Sequence, residues 1–323
     1  MDSATGVLDL YDNGNPMNSL LRRILSAIIL LGGAALLLFK LPSLAGVLVL
    51  IGLAVMALLE FYKIQQNAGI PAFRNIGIAS GIALLVAGYF SLNISLISPG
   101  APLEAWRELP WLVMTVVVFI IFVRQFPQKQ NPQPLPTIAC TMLGLVYVPL
   151  LLLFMMNLCF RWTPTAWNEP LSVTARDLII YLVVVVKASD IGAYFVGSLC
   201  GRHKLFPRIS PGKTWEGLAG GFAAGILASL VVYWLWRAPQ PGLPTAEFGQ
   251  LSLSWGHAWV LAALLSTIGV IGDLVESLLK RTAGLKDSGC IFPGMGGILD
   301  VLDSLLFAAP ALYFYMRWFG HVS

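Results

Sequence analysis

Two stretches near the start of the chain, Ile24–Phe39 and Leu44–Leu59, run sixteen residues each without a single charge. A chain that must satisfy its backbone N–H and C=O groups in hydrocarbon has two choices: helices, or a closed barrel. A barrel strand alternates apolar and polar residues with period two. Runs such as "VLVLIGLAVMALL" (47–59) do not alternate, so helices remain. Composition agrees: 57% of residues are hydrophobic and only 11% are charged, against roughly 25% charged in a soluble protein.

Nine candidate spans follow: Ile24–Phe39, Leu44–Tyr62, Ile76–Ile97, Leu109–Val123, Ile138–Phe160, Leu178–Cys200, Leu218–Trp236, Ala258–Lys280 and Ile298–Phe319. The shorter ones approach the lower limit for crossing about 30 Å of hydrocarbon, with flanking Lys and Arg able to snorkel. The expected fold is an all-α integral membrane bundle of about nine helices. Residues 1–21 form a loose tail, 22–175 a scaffold of about five helices, and 176–323 a catalytic region of about four. Ile24–Phe39 follows Arg22 and Arg23 as a signal peptide's apolar region would, but no small-residue cleavage site follows. An uncleaved first helix is the expectation.

Orientation follows from Lys and Arg. With the N-terminus inside, Arg22, Arg23, Lys63, Arg74, Arg124 and Lys129 share the cytoplasmic side with the basic segments 202–213 and 280–286. Lys40, Arg107, Arg161, Arg176, Arg237 and Arg317 face the other way. No internal repeat supports an inverted-repeat transporter. The net charge of +4 brings no basic run with interleaved aromatics, so nucleic acid is not an expected partner. The four cysteines and three histidines are scattered, with no CxxC, which excludes a disulfide framework or zinc site as a working reading.

Polar chemistry collects after Asp177. Lys187 and Asp190 interrupt the apolar run "VVVVKASDIGAYFVG". Ionisable residues at depth usually face a cavity or a partner, and a plain i,i+3 ion pair explains these two as well. Asp190, Tyr194 and Gly197 share a helical face. Arg202, Lys204 and Arg208 then lead into "ISPGKTWEG", where Ser210, Lys213 and Thr214 offer donors for phosphate oxygens; a positive-inside loop is the bland alternative. Gly212-Lys213-Thr214 is not a P-loop, because position 207 is Pro instead of Gly and no strand is expected before it. In "IGDLVESLLKR", Asp273, Ser277, Lys280 and Arg281 fall on one face, and Glu276–Lys280 reads as a helix-end salt bridge. Asp273 lies a turn deeper, where that explanation does not reach. Finally "PGMGG" makes a turn whose glycines, Gly296 and Gly297 among them, allow backbone N–H groups to approach an anion. Asp300, Asp303 and Ser304 follow on one face. Acids favour a helix N-terminus in any case, but with Asp273 they form a set suited to Mg²⁺, which takes oxygen ligands alongside substrate phosphates.

At these residues the chain resembles the phosphatidate cytidylyltransferases. Their signature, S-x-x-K-R-x4-K-D then P-G-H-G-G-x-x-D-R-x-D, reads here as Ser277, Lys280, Arg281, Lys286 and Asp287, then Pro293-Gly294-Met295-Gly296-Gly297, Asp300, Val301 and Asp303. The resemblance covers about Lys187–Ser304. Met295 stands in place of the usual His, and Val301 in place of the usual Arg. The resemblance implies transfer of CMP from CTP to phosphatidate, giving CDP-diacylglycerol and pyrophosphate. It implies Mg²⁺ with a second cation nearby, and a bacterial cytoplasmic membrane with the site facing the cytoplasm. By motif matching, Asp273 and Asp300 hold metal, with Asp303 and Asp287 behind them. Lys213, Lys280, Arg281 and Lys286 hold phosphates, with Ser210 and Thr214 assisting. Asp190, Ser277, Gly296 and Gly297 support. A homodimer is compatible with all of this. Two other readings stay open: a CTP-dependent enzyme acting on another membrane lipid, and an ion-coupled transporter using Lys187, Asp190 and Asp273 as its path.

Overall fold

A computed structural model describes residues 32–33, 35–36, 38–98, 100, 103–127, 131–162, 165–237, 254–289 and 296–319. The N-terminal tail, most of the expected Ile24–Phe39 span, and Met295 lie outside these. Among the described residues, and apart from one turn of helix at Leu103–Arg107, eight helices carry the fold: α1 (Ser43–Asn67), α2 (Arg74–Ile97), α3 (Leu109–Gln125), α4 (Pro134–Phe160), α5 (Val173–Cys200), α6 (Trp215–Arg237), α7 (Trp255–Thr282) and α8 (Ile298–Phe319). All but α3 are long and apolar enough to cross a bilayer; α3 is a shorter apolar helix. Large apolar side chains such as Phe119, Leu135, Leu199, Leu227 and Trp234 point outward. Patches of that kind on one molecule mark a lipid-facing surface.

Among the described residues the interior holds a small apolar cluster at Val117, Ile121 and Leu145 between α3 and α4, and two large ones that share α8. One joins α1, α2 and α4 through Phe61, Leu85, Leu152 and Phe160 to Leu299 and Leu306. The other joins α5 and α7 through Tyr181, Leu261 and Leu265 to Leu312. Lipid is as apolar as leucine, so helices associate through close packing and interhelical hydrogen bonds. Tyr181 Oη and Ser229 Oγ lie 2.7 Å apart, and Ser229 Oγ donates to the Ala258 carbonyl at 2.9 Å, tying α5, α6 and α7. Close packing is most evident between α5 and α6. A Cβ on Gly217 would lie 2.8 Å from the Ala193 carbonyl, and one on Gly221 would lie 2.9 Å from that of Ser189. Cβ atoms on Gly192 and Gly220 would strike Ala224 and Val196. The two backbones therefore touch along this seam.

Helix ends find partners by several routes. Ser172 caps α5 by accepting from the Ala175 N–H at 3.2 Å. The first N–H groups of α1 have no side-chain cap; Ser43 and Leu44 donate instead to the Glu169 and Trp167 carbonyls. In α4 the segment Val146–Leu150 is a π-turn around Pro149. A proline removes one donor from the ladder, and the wider turn absorbs the misfit.

One element is new relative to the expected all-α bundle. Lys204–Phe206 (β1) and Ser210–Thr214 (β2) form a two-stranded antiparallel hairpin between α5 and α6. A strand thus does precede α6, contrary to expectation. Gly212-Lys213-Thr214 lie within it, however, and not in a loop following it, so the phosphate-loop geometry is still missing.

Candidate active site

The C-terminal halves of α5 and α7, the start of α6 and α8, and the hairpin converge at one end of the bundle. Between them lies a cavity of about 490 Å³, lined among others by Lys187, Asp190, Tyr194, Gly197, Ser210, Lys213, Thr214, Asp273, Asp300 and Asp303. The expected face of Asp190, Tyr194 and Gly197 therefore does line a cavity. Tyr194 lines the cavity and is otherwise largely exposed.

Two cations cross this cavity. Lys213, carried by β2, pairs with Asp273 Oδ2 on α7 at 2.8 Å. Lys187 on α5 lies 3.3 Å from Asp190 Oδ2 and donates to Ser304 Oγ at 3.1 Å and to the Val301 carbonyl at 3.3 Å. Ser304 Oγ in turn donates to Asp190 Oδ2 at 3.2 Å. The Lys187–Asp190 pair is thus real, and it extends onto α8. It also bears on Val301, where Arg was the residue the resemblance led one to expect: a lysine from α5 already brings positive charge to that turn.

Asp273, Glu276 and Asp303 each present a carboxylate oxygen, and these atoms lie within 4.8 Å of one another. Glu276 is 1% exposed, and its Oε1 has no hydrogen-bond partner among the described residues. An unpartnered carboxylate oxygen at that depth is costly, so the three acids fit a bound cation. Ser277 Oγ donates to Asp273 Oδ1 at 3.3 Å, and Asp303 Oδ1 accepts from the Ser304 N–H at 2.5 Å. Glu276 was read from sequence only as half of a helix-end pair. Its position among four consecutive apolar or small neighbours one turn from Asp273 was the available signal.

Asp300 behaves differently from its expected partner Asp273. It lines the same cavity, yet both of its oxygens are bonded within the protein. Oδ1 accepts from Lys280 Nζ at 2.5 Å; Oδ2 accepts from the N–H groups of Gly297 and Ser288 at 2.7 and 3.0 Å and lies 2.7 Å from Ser288 Oγ. Lys280 also pairs with Glu276 Oε2 at 2.6 Å and is buried below the cavity floor. Arg281 is exposed and donates to the Ile209 and Leu285 carbonyls, fastening the hairpin to the end of α7. Lys286 and Asp287 are exposed and do not line the cavity. Of the expected phosphate ligands, then, Ser210, Lys213 and Thr214 surround the cavity, Lys280 lies beneath it, and Arg281 and Lys286 stand outside.

The glycine turn holds an anion, but one supplied by the protein. Gly296 sits at φ +88°, and a Cβ there would strike Asp300 Oδ2. A Cβ on Gly297 would strike both oxygens of Glu60, and one on Gly289 would strike Oε1. Glu60, on α1, looked like an interfacial residue at the end of an apolar run. It is 6% exposed and accepts from the N–H groups of Ile298 and Leu299 at 3.0 and 2.9 Å and from Ser288 Oγ at 3.0 Å. Its partners lie more than two hundred residues away, beyond any local pattern. The scaffold region therefore reaches into the C-terminal one.

A family model described as the cytidylyltransferase family matches residues 21–319. Among similar proteins, the phosphatidate cytidylyltransferase of Bacillus subtilis (strain 168) is 43% identical over 164 residues, 51% of this chain and 55% of the relative. That of Brucella suis biovar 1 (strain 1330) is 45% identical over 148 residues, 46% of this chain and 48% of the relative. An uncharacterized protein of Escherichia coli (strain K12), YnbB, is 38% identical over 163 residues, 49% and 50% of the two chains. The matches span about half the length of these curated relatives.

Proposed function

The chain belongs to the cytidylyltransferase family, and from that premise we propose that it transfers CMP from CTP to phosphatidate, releasing pyrophosphate and leaving CDP-diacylglycerol in the bilayer. The observation that carries this reading is the cavity itself. Acids fit for a cation and cations fit for phosphate meet in one cavity among the helices of a membrane bundle.

In this reaction a phosphatidate oxygen bonds to the α-phosphorus of CTP, and the bond to the departing pyrophosphate breaks. The attacking oxygen is already anionic near neutral pH, so no strong base is required. The task is to hold two polyanions together and neutralise them. Asp273, Glu276 and Asp303 would hold the Mg²⁺, which when bound supplies positive charge at the phosphates. A direct Asp273–Asp300 pair, as the motif suggests, would draw on an Asp300 whose two oxygens are both bonded within the protein, whereas Glu276 keeps an oxygen without a hydrogen-bond partner among the described residues. Lys213 would leave Asp273 for a CTP phosphate. Thr214 Oγ1 accepts from the Gly217 N–H at 3.1 Å and keeps its own proton to donate, and Ser210 would assist from the same strand. Lys187, steadied by Asp190 and Ser304, would face the second phosphate. Lys280 and Asp300 would fix Glu276 from below. Arg281, Lys286 and Asp287, in water beyond the cavity, would shape the approach of the nucleotide.

On the positive-inside rule, Lys63, Arg74, Arg124 and the basic residues of segments 202–213 and 280–286 support a site that would face the cytoplasm from a bacterial cytoplasmic membrane. The test is purified protein with Mg²⁺, CTP labelled in the α-phosphate, and phosphatidate in mixed micelles. Label should pass to a chloroform-soluble product only when phosphatidate is present, with one pyrophosphate released per lipid labelled. Label passing to another lipid and not to phosphatidate would overturn the substrate; no transfer to any lipid, with ion flux in liposomes, would overturn the enzyme.

A further inference from the structure

We infer that Glu60 is a positioning residue for the acidic cluster: it caps α8 from another helix and, through Ser288, sets the Asp300–Lys280 pair that holds Glu276. The inference deepens the reading above and rests on it.

The argument starts at the beginning of α8. Gly297 occupies the cap position, and Asp300, three residues on, accepts from the Gly297 N–H. That is one half of a capping box. The other half needs a side-chain oxygen at the cap, and glycine has none. Glu60 supplies it from α1, accepting from the next two N–H groups, Ile298 and Leu299. The arrangement excludes the usual solution, because any Cβ at position 297 would strike Glu60 and Ser288. Capping alone could be done by a local Ser or Asp. Here a carboxylate is buried instead, with no cationic partner among the described residues. Burying an anion in this way is expensive, which is a reason to look for a second task.

That task is visible in the next link. The Ser288 hydroxyl has one proton and two carboxylates within reach, Glu60 Oε2 at 3.0 Å and Asp300 Oδ2 at 2.7 Å. A proton engaged by Glu60 leaves Asp300 short of one donor, and so more dependent on Lys280. Lys280 is shared with Glu276, which also presents a carboxylate oxygen to the cluster with Asp273 and Asp303. Neutralising Glu60 would free the Ser288 proton for Asp300. Lys280 would then shift toward Glu276 and compete with a cation for it.

The test uses the full-length protein in lipid micelles and the variants Glu60→Gln, Ser288→Ala and the double. Glu60→Gln keeps size and one acceptor oxygen, so the fold should persist. Its turnover should fall at least tenfold and its half-saturating Mg²⁺ rise at least fivefold, while KM for CTP stays within threefold. Ser288→Ala removes the shared proton and leaves Asp300 more dependent on Lys280, so it should not raise the half-saturating Mg²⁺, and the double variant should follow Ser288→Ala and not Glu60→Gln, as residues in one network behave. Binding of Mn²⁺ to the purified protein, read by its paramagnetic resonance signal, gives a second measure of cation affinity that needs no turnover. A wild-type protein without cytidylyl transfer would thus sink the proposed reaction and still leave Glu60 on trial. Glu60→Gln with unaltered cation affinity, or with only a lower unfolding temperature and full activity per folded molecule, would reduce Glu60 to a cap and overturn the inference. Glu60→Asp, should the glutamine variant fail to fold, provides the same comparison with the charge retained.

Discussion

Removing the amine of Lys280 should be among the most destabilising changes in the protein. Its side chain is 10% exposed and touches two carboxylates, Glu276 and Asp300, whose side chains are 1% and 12% exposed. None of the three is open enough for solvent to screen the loss. Lys280→Met keeps most of the volume and the apolar stem, so packing is largely preserved. What remains is two buried acids facing each other without a cation. Breaking a buried ion pair by deleting one partner costs about 3–5 kcal/mol, out of a total stability of roughly 5–15 kcal/mol for a typical protein. Unfolding in mixed micelles by guanidinium, followed through the ten tryptophans, would measure it. The cost comes from stranded charge, so Glu276→Gln in the Lys280→Met background should recover part of it, on the order of half. A loss below about 1 kcal/mol, well short of that range, would refute the reasoning. So would a double variant less stable than Lys280→Met alone.

Asp273→Asn and Asp303→Asn should raise the half-saturating Mg²⁺ of turnover at least about tenfold, since an amide keeps size but not charge. Asp300→Asn should lower turnover and stability together; a pure shift in Mg²⁺ dependence with stability intact would make Asp300 a direct ligand. Lys187→Met should cost activity that Val301→Arg restores in part, while Val301→Arg alone gains nothing. Failure of the pair to recover anything would separate the two positions. Single cysteines at Lys204 and Lys286, in a cysteine-free background, should react with impermeant reagents only from the cytoplasmic side. Labelling from outside intact cells would invert the topology. Ser288, though only two residues from Lys286, is buried and unsuited to that test.

The helices were legible because lipid leaves a chain few options: apolar runs of the right length have to be helices, and among the described residues seven are long enough. Within the site, what was legible had local periodicity. Asp190, Tyr194 and Gly197 share a face by spacing alone, and they share a cavity wall. The hairpin was not legible. Its strands are three and five residues long, contain Pro211 and Gly212, and depend on register with each other, not on an alternating pattern. Glu60 and Glu276 were misplaced for a different reason. Glu60 follows an uncharged run that suggests a helix end but lies two turns inside α1, and Glu276 makes the i,i+4 pair that spacing suggests. Their second partners come from other helices, and nothing in the neighbouring sequence records that. The glycine turn was half legible: an anion was expected there, but not that Glu60 and Asp300 would be it.

The glycine seam between α5 and α6 has a mechanical consequence. Interfaces built from side chains can slip, because rotamers offer alternative fits. One in which backbones meet at Gly192, Gly217, Gly220 and Gly221 has nothing to rearrange. The pair and its hairpin therefore move as one stiff plate carrying Lys187, Asp190 and Lys213, opposite a second plate, α7 and α8, that carries Asp273, Glu276 and Asp303. Deep in the bundle the plates are pinned where Gly225 leaves room for Ser266 and no more. Toward the cavity they meet through polar contacts: Lys213 against Asp273 and the Val270 carbonyl, Lys187 against Ser304 and the Val301 carbonyl, Ser304 against Asp190, and Arg281 against the Ile209 carbonyl. On the function proposed above, the contacts made by Lys213 and Lys187 are ones for which a phosphate would compete.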